Sequence, residues 1–511
     1  MAVGKKKYLL QIGSVNWSES VPLSEEMEWI YLRPGVKMDV AAFLEDHQIK
    51  QLSAVLLEHV EDILDLSEWL EAVDPYTVFY PVGEEIRSDE VARLVALKQA
   101  RAWDMSDPAD FVSQLGRFVY SAQYGDRFPV SHIQVRQGFK GSQTLEGSQS
   151  FVLEGAYGED YTPLLQWKYN YVYGGDLPVD IWLEYEKDAS VSVRLTVQYL
   201  SYGAIGSLSK EETFSELDME KPIVIAEKTP YYLGFSLEVK GQGQLRLGNL
   251  HKRYSHGPFG QLLVGGDILR DQKRQELIVY FHPGDLKPPL NIYFSGFRPA
   301  EGFEGYWMMR SLGAPFILFG DPRLEGGSFY MGTEELEGQV VAFIQQKLDE
   351  LGFGSKDVVL SGLSMGTYGA LYYGVDFSPH AIVIGKPLVN IGDIAANLKF
   401  KRPNEFQTSL DMLYLLTGEV SEEGVTQLNA RFWDKFERAN FQDTLLALAY
   451  MQDDDYDQQA YPQILQELYN QPVRIISKSR PGRHNDASSV ITDWFFTQYK
   501  EIMERDFGRS G

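Results

Sequence analysis

The spacing of apolar and polar residues changes twice along the chain and divides it into three segments. In residues 1–125, short apolar runs at 8–12 and 53–57 predict strands, and amphipathic stretches at 63–72 and 90–100 predict helices. This alternation predicts a small α/β domain. No glycine-rich phosphate-binding loop follows its strands, so we assign it no cofactor.

The second segment, residues 126–262, has the every-second-residue alternation that is typical of half-buried strands. The alternation occurs in runs separated by turns, at 180–185, 191–199, 231–240 and 244–247. Short strands separated by turns predict a β-sandwich-like domain. We expect most of its aromatic rings in the core, with a sugar-stacking surface as the alternative. These rings include Trp167, Tyr169, Tyr171, Tyr173, Trp182 and Tyr185.

From residue 263 to 511, strand-like runs alternate with helical stretches. Strands are predicted at 277–281, 290–294, 316–319, 358–360, 381–384, 444–450 and 473–476, and helices at 335–351, 365–373 and 488–502. This order predicts a doubly wound, mostly parallel sheet. A largely helical insertion at 390–443 is expected to form a cap over the active site. It carries Lys399, Lys401, Arg402, Phe406, Trp433 and Phe436.

One pentapeptide in this third segment carries a specific chemical signal. Gly362-Leu363-Ser364-Met365-Gly366 follows the apolar run 358–360 and precedes the helical run 367–373. Strand, Gly-x-Ser-x-Gly and helix are the context of a nucleophile elbow, in which glycines make room for a strained turn. The motif predicts that 263–511 is an α/β-hydrolase-like catalytic domain with Ser364 as its nucleophile.

A serine hydroxyl needs a base and an orienting acid, which in this arrangement follow the serine in the order acid, then histidine. The strand at 444–450 leads into Asp453-Asp454-Asp455, and the strand at 473–476 leads into His484. Of the chain's 8 histidines, His484 alone follows both the serine and the acid loop. We therefore predict His484 as the base and Asp454 as the acid, with Asp453 and Asp455 as alternatives.

Acyl transfer also needs donors for the developing oxyanion. One is expected to be the backbone N–H of Met365, and the other an N–H from the loop after the strand at 290–294. In that loop, either Gly296 or Phe297 fits. No HExxH, phosphate-binding or EF-hand pattern is present, and His256 and His282 are isolated in sequence, so no metal is predicted.

Composition narrows the function classes further. The chain has 511 residues and a formal net charge of -25, which argues against nucleic acid as a partner. It has 0 cysteines, which excludes disulfides and thiol nucleophiles. The N-terminal apolar stretch is too short for a signal peptide, and no window approaches the ~18 apolar residues of a transmembrane helix. These features predict a soluble, cytoplasmic protein.

Three features together resemble the accessory secretion protein that acts as a glycan O-acetyltransferase in Gram-positive accessory Sec systems. They are the run from Gly362 to Gly369, the acid loop Asp453-Asp454-Asp455, and Arg483-His484-Asn485-Asp486. The resemblance covers most of the chain and is most specific over 275–500. It implies a serine, acid and histidine at Ser364, Asp454 and His484.

The resemblance also implies partners and a substrate. These are two sibling accessory secretion proteins, a dedicated SecA motor, and a serine-rich-repeat adhesin whose O-linked N-acetylglucosamine is acetylated. It implies a cytoplasmic location, with peripheral membrane contact through the export complex. No sequence motif indicates the acetyl donor. The alternatives are a carbohydrate esterase or deacetylase on the same fold, and a non-catalytic export scaffold.

Overall fold

The computed structural model describes residues 6–23, 26–203, 206–397 and 405–509. Within these ranges the strands form three sheets, of 5, 10 and 8 strands. Each sheet is built from its own stretch of chain, 7–103, 125–254 and 266–480. These stretches match the three predicted segments to within one residue, since the second begins at 125 rather than 126, and the exact segment boundaries stay a prediction. The predicted cap residues Lys399, Lys401 and Arg402 lie outside the described residues.

The first sheet is parallel, with strand order β2-β1-β3-β4-β5. Its strands are β1 (Lys7–Ile12), β2 (Met27–Leu32), β3 (Ala54–Leu57), β4 (Val78–Pro81) and β5 (Arg101–Trp103). The helices are α1 (Val40–Asp46), α2 (Asp89–Lys98) and α3 (Pro108–Phe118).

The helix predicted at 63–72 was wrong in type. The chain instead forms 3₁₀ turns at Val60–Leu66 and Leu70–Ala72. Its buried residues recur at every third position, which is the period of a 3₁₀ helix rather than that of an α-helix. These residues are Val60, Ile63, Leu66, Trp69 and Ala72.

In the second segment, where a β-sandwich-like domain is predicted, the strands form one continuous hydrogen-bonded network. Its strands are β6 (Gly125–Phe128), β7 (Ile133–Val135), β8 (Ser142–Glu146), β9 (Ser150–Trp167), β10 (Tyr171–Tyr173), β11 (Val179–Lys187), β12 (Val191–Ser201), β13 (Leu208–Phe214), β14 (Ile223–Ile225) and β15 (Tyr231–Tyr254). The runs predicted as two strands at 231–240 and 244–247 are a single strand of 24 residues. Positive φ angles at Gly241 (97°) and Gly243 (138°) let β15 bend where a turn was predicted, and pair with several neighbours.

The third sheet has the order β16-β17-β19-β18-β20-β21-β22-β23. Its strands are β16 (Gly266–Arg270), β17 (Glu276–His282), β18 (Leu290–Phe294), β19 (Phe316–Gly320), β20 (Val358–Leu363), β21 (Ala381–Gly385), β22 (Leu445–Met451) and β23 (Arg474–Arg480). The helices of this region are α4 (Tyr306–Arg310), α5 (Glu334–Leu351), α6 (Met365–Phe377), α7 (Ile391–Ala396), α8 (Ser409–Thr417), α9 (Glu422–Phe436), α10 (Ala460–Glu467) and α11 (Ser488–Phe507).

Strands β18 to β23 run parallel to one another, so their carboxyl ends meet at one edge of the third sheet. Separate apolar clusters cover the two faces of the sheet, which explains why its central strands are largely apolar rather than alternating. The predicted insertion supplies α7, α8 and α9, and Phe432 of α9 packs on Tyr368 of α6 with ring centroids 5.2 Å apart. No helix among the described residues has the length and apolar character needed to cross a membrane.

Candidate active site

Ser364 lies on a sharp turn between β20 and α6, at the carboxyl edge of the third sheet. Its backbone has φ 53° and ψ -120°, a conformation that a residue with a side chain rarely adopts. A Cβ on Gly362 would overlap the Gly366 carbonyl, and a Cβ on Gly366 would overlap the Phe294 carbonyl oxygen. Only glycine fits at these two positions, which explains the spacing of the motif.

The three residues predicted for proton transfer are joined by hydrogen bonds. The Ser364 hydroxyl lies 2.8 Å from Nε2 of His484, and Nδ1 of His484 lies 2.8 Å from Oδ2 of Asp454. His484 and Asp454 are buried, and the ring of Tyr456 covers the imidazole at a centroid distance of 4.6 Å. With the Nδ1 proton held by Asp454, Nε2 is the acceptor for the serine proton.

Each aspartate of the acid loop has a different partner. Asp454 bonds the imidazole ring, and its other oxygen accepts from the backbone N–H of Tyr456 at 2.9 Å. Asp455 accepts from the backbone N–H of His484 at 3.0 Å. Asp453 accepts from the backbone N–H of Gly482 at 3.3 Å. The run therefore holds both the side chain and the backbone of the segment around His484.

Sequence reasoning missed Lys386, which follows β21 directly. Its ammonium donates to the backbone carbonyl of Asp486 at 2.8 Å and to the hydroxyl of Ser488 at 2.9 Å. Burial lowers the pKa of Lys386, while Asp454 and Asp486 oppose that shift. The only sequence signal was a lysine at the end of a buried strand, which is too common a pattern to single out.

The loop after β18 lies beside the elbow, because a Cβ on Gly296 would come within 3.2 Å of the Leu363 carbonyl oxygen, but one of the predicted oxyanion donors is already bonded. Met365 is the first residue of α6, where backbone N–H groups lack helical acceptors. The N–H of Gly296 donates to a carboxylate oxygen of Glu304 at 2.8 Å. Of the two candidates in this loop, the geometry therefore favours the N–H of Phe297. Glu304 was not identified from the sequence, because nothing in its spacing relates it to Gly296.

The side chain of Phe297 forms part of the outer wall of this region. It is 48% exposed and lies against Gly326. Its ring meets that of Phe406 edge-on, with centroids 6.5 Å apart. Phe406 belongs to the predicted cap, so the insertion and the loop after β18 contact each other near the serine.

Comparison with known proteins gives the family. The family model described as the accessory Sec system GspB-transporter matches residues 7–509. The accessory Sec system protein of Streptococcus gordonii is 41% identical over 505 residues, which cover 99% of both chains. The corresponding Staphylococcus aureus protein is 44% identical over 392 residues, covering 76% of this chain and 75% of that one.

A solved structure agrees over the full length. A chain of the glycosylation-associated protein complex from Streptococcus agalactiae superposes with a TM-score of 0.93 and 36% identity, covering 99% of this chain and 100% of that chain. The chain therefore belongs to the accessory Sec system GspB-transporter family, that of accessory secretory protein 2.

Proposed function

We propose that this accessory Sec protein is a serine-dependent O-acetyltransferase with an α/β-hydrolase-type catalytic domain. The observation that carries the proposal is the hydrogen-bonded chain from Ser364 through His484 to Asp454 on a strained turn. Holding Ser364 in this conformation strains the backbone, which costs free energy of folding. A protein that only binds its partners would have no need for that strain.

In the first half of the reaction, the Ser364 oxygen attacks the carbonyl carbon of an acetyl donor while Nε2 of His484 takes the serine proton. Asp454 stabilises the imidazolium through the Nδ1–H bond. The N–H groups of Met365 and Phe297 hold the oxyanion of the tetrahedral intermediate. The bond from the acetyl carbon to the leaving group then breaks, His484 returns its proton to that group, and an acetyl-serine ester remains.

In the second half, His484 takes the proton of an acceptor hydroxyl as its oxygen attacks the acetyl-serine. The serine–acetyl bond breaks, Ser364 recovers its proton from His484, and the acceptor leaves as an acetyl ester. A sugar hydroxyl as acceptor gives transfer, whereas water gives hydrolysis.

The family resemblance supplies the acceptor and the setting of this proposal. The acceptor is N-acetylglucosamine on O-linked glycans of a serine-rich-repeat adhesin, modified in the cytoplasm before export. The chain works there with two sibling accessory secretion proteins and the accessory SecA motor. The Streptococcus agalactiae relative was solved as part of a complex, which supports assembly with siblings.

The test is to compare wild-type and Ser364→Ala proteins in cells and in vitro. Mass spectrometry of the exported adhesin measures acetylation of its glycans, and the amount of adhesin at the surface measures export. In vitro, p-nitrophenyl acetate serves as donor and an N-acetylglucosamine glycopeptide as acceptor. We expect Ser364→Ala to lower turnover by at least about 10⁴-fold, with loss of glycan acetylation and retention of export.

Two other outcomes correspond to the competing functions. Serine-dependent release of acetate without acetylated glycopeptide would favour a carbohydrate esterase or deacetylase. Equal glycans and equal turnover in wild type and Ser364→Ala would favour a non-catalytic export scaffold.

A further inference from the structure

The loop between β18 and α4, residues 295–305, connects the candidate oxyanion donor with the second sheet. Near its start, the Ser295 carbonyl accepts from the buried hydroxyl of Tyr330 at 2.6 Å, and Gly296 is bonded to Glu304. Phe297 follows directly. The start of the β18–α4 loop is thus held by residues of the third segment, close to the nucleophile.

The far end of the same loop is held by the second sheet. The backbone N–H of Glu301 donates to the carbonyl of Gly125 in β6 at 2.8 Å. Its carboxylate, fully buried, accepts from Nδ1 of His251 at 2.6 Å and from Nε of Arg253 at 2.5 Å, both in β15. Burial opposes ionisation of Glu301, yet Arg253 and His251 hold its pKa well below the usual range. Backbone and side chain are therefore both fixed.

A second attachment is made by Gln123, which lies between α3 and β6. Its side-chain amide accepts from the N–H of Phe303 at 2.7 Å and donates to the Phe303 carbonyl at 3.2 Å. The same carbonyl accepts from Arg298 at 2.6 Å. Arg298 is the next residue after Phe297. The Phe303 carbonyl therefore connects Gln123 with the residue beside the candidate oxyanion donor.

We propose that the second sheet positions the N–H of Phe297 for acyl transfer, and that Gln123 is a positioning residue acting through the β18–α4 loop. This inference rests on the proposed function and assigns a catalytic contribution to residues 123–127 and 251–253, which lie outside the eight-stranded sheet. An oxyanion donor contributes in proportion to how well its direction is fixed before the reaction. A loop tied at only one end loses part of that preorganisation.

The test is to replace Gln123 in the full-length protein and to measure turnover of p-nitrophenyl acetate. Gln123→Ala removes both hydrogen bonds to Phe303, and Gln123→Met removes them while keeping the bulk of the side chain. We expect both to lower kcat about 10-fold with KM unchanged, because the oxyanion forms only after substrate binds. The pH dependence of kcat should keep its shape, because neither substitution touches the hydrogen bonds from Ser364 through His484 to Asp454.

Gln114→Ala is the matched control, since this glutamine of α3 bonds only the neighbouring surface residue Asp110 among the described contacts. It should leave kcat at the wild-type value. Hydrogen exchange of the backbone amides in 295–305 should rise in Gln123→Ala and Gln123→Met and stay unchanged in Gln114→Ala.

The outcomes separate this inference from the proposed function. Wild-type kcat in Gln123→Ala and Gln123→Met would overturn the inference alone, provided that wild-type turnover depends on Ser364. A rise in KM with kcat unchanged would overturn it as well, because it would place Gln123 in substrate binding. Absence of Ser364-dependent turnover in the wild type would overturn the proposed function, and this inference with it.

Discussion

Two loops bring groups to Ser364, and they are anchored in different parts of the molecule. The loop carrying His484 is held by Asp453, Asp455 and Lys386, which all belong to the third segment. The β18–α4 loop is held at its far end by the second sheet and by Gln123, just before β6. In the proposed reaction, proton transfer would depend on one sheet and its loops, whereas oxyanion stabilisation would depend on the contact between two sheets. Damage to that contact should impair the reaction without disturbing the Ser364–His484 pair.

The largest effect should come from the loop that carries His484. Asp454→Asn should lower kcat by about 10⁴-fold, because an amide neither keeps the proton on Nδ1 nor stabilises the imidazolium. Turnover of p-nitrophenyl acetate measures the change. Asp453→Asn is the matched control, since the Asp453 side chain bonds only a backbone N–H at 3.3 Å among the described contacts, and the variant should stay within a few-fold of wild type. Equal losses in both variants would contradict the assignment of Asp454.

The second prediction breaks the contact between the sheets. Glu301→Gln leaves Arg253 and His251 with less compensating charge in a buried site, and should cost about 3–5 kcal/mol of unfolding free energy. Thermal or denaturant unfolding measures it. Glu159→Gln, an exposed strand position, should change stability by no more than about 0.5 kcal/mol. A small effect of Glu301→Gln would mean that the ionic cluster adds little to holding the sheets together.

The ionic contact between the second sheet and the β18–α4 loop should make the free energy of unfolding decrease at alkaline pH. Both nitrogens of His251 bond carboxylates, of Glu301 at 2.6 Å and of Glu184 at 2.9 Å, so both carry protons. Burial alone would disfavour the charged ring, but the two glutamates outweigh it and raise the pKa of His251 to about 9.

Because this pKa lies above the unfolded value of about 6.5, the stabilisation is fully present below pH ~6.5 and is lost as pH rises through about 9. The difference corresponds to ~3 kcal/mol. The free energy of unfolding should be measured across this pH range in the wild type and in His251→Gln. It should decline with rising pH in the wild type and not in the variant. Parallel curves for the two proteins would contradict the charged state of His251.

The part of the site that depends on local order was predictable from the sequence. Five consecutive residues identify the elbow at Ser364. His484 and Asp454 are identified by their order along the chain, because each follows a predicted strand after the serine. Which of the three adjacent aspartates bonds the imidazole depends on how the loop turns. The spacing of residues in the sequence does not determine this, so Asp454 was predicted with Asp453 and Asp455 as alternatives.

The part that depends on contacts between distant segments was not predictable. Gln123 and Phe303 are 180 residues apart, and His251 and Glu301 are 50 apart, with no periodicity to relate them. The same reason explains the error at 231–247: Gly241 and Gly243 are typical of a turn, and only pairing with several strands makes β15 continuous. The same local sequence pattern can form a turn or a continuous strand, depending on the tertiary contacts around it.

The smallest predicted effect distinguishes the N–H of Phe297 from the N–H of Gly296 as the donor to the oxyanion. Glu304→Ala removes the acceptor of the Gly296 N–H, and the peptide before Phe297 loses one fixed point. If Phe297 is the donor, kcat should fall about 3-fold with KM unchanged, and Glu304→Gln, which keeps an acceptor oxygen, should stay near wild type. If Gly296 is the donor, the carboxylate competes for the same N–H, and Glu304→Ala should instead raise kcat. The direction of the change, measured with p-nitrophenyl acetate, therefore identifies the donor, because the two assignments require opposite signs from the same substitution.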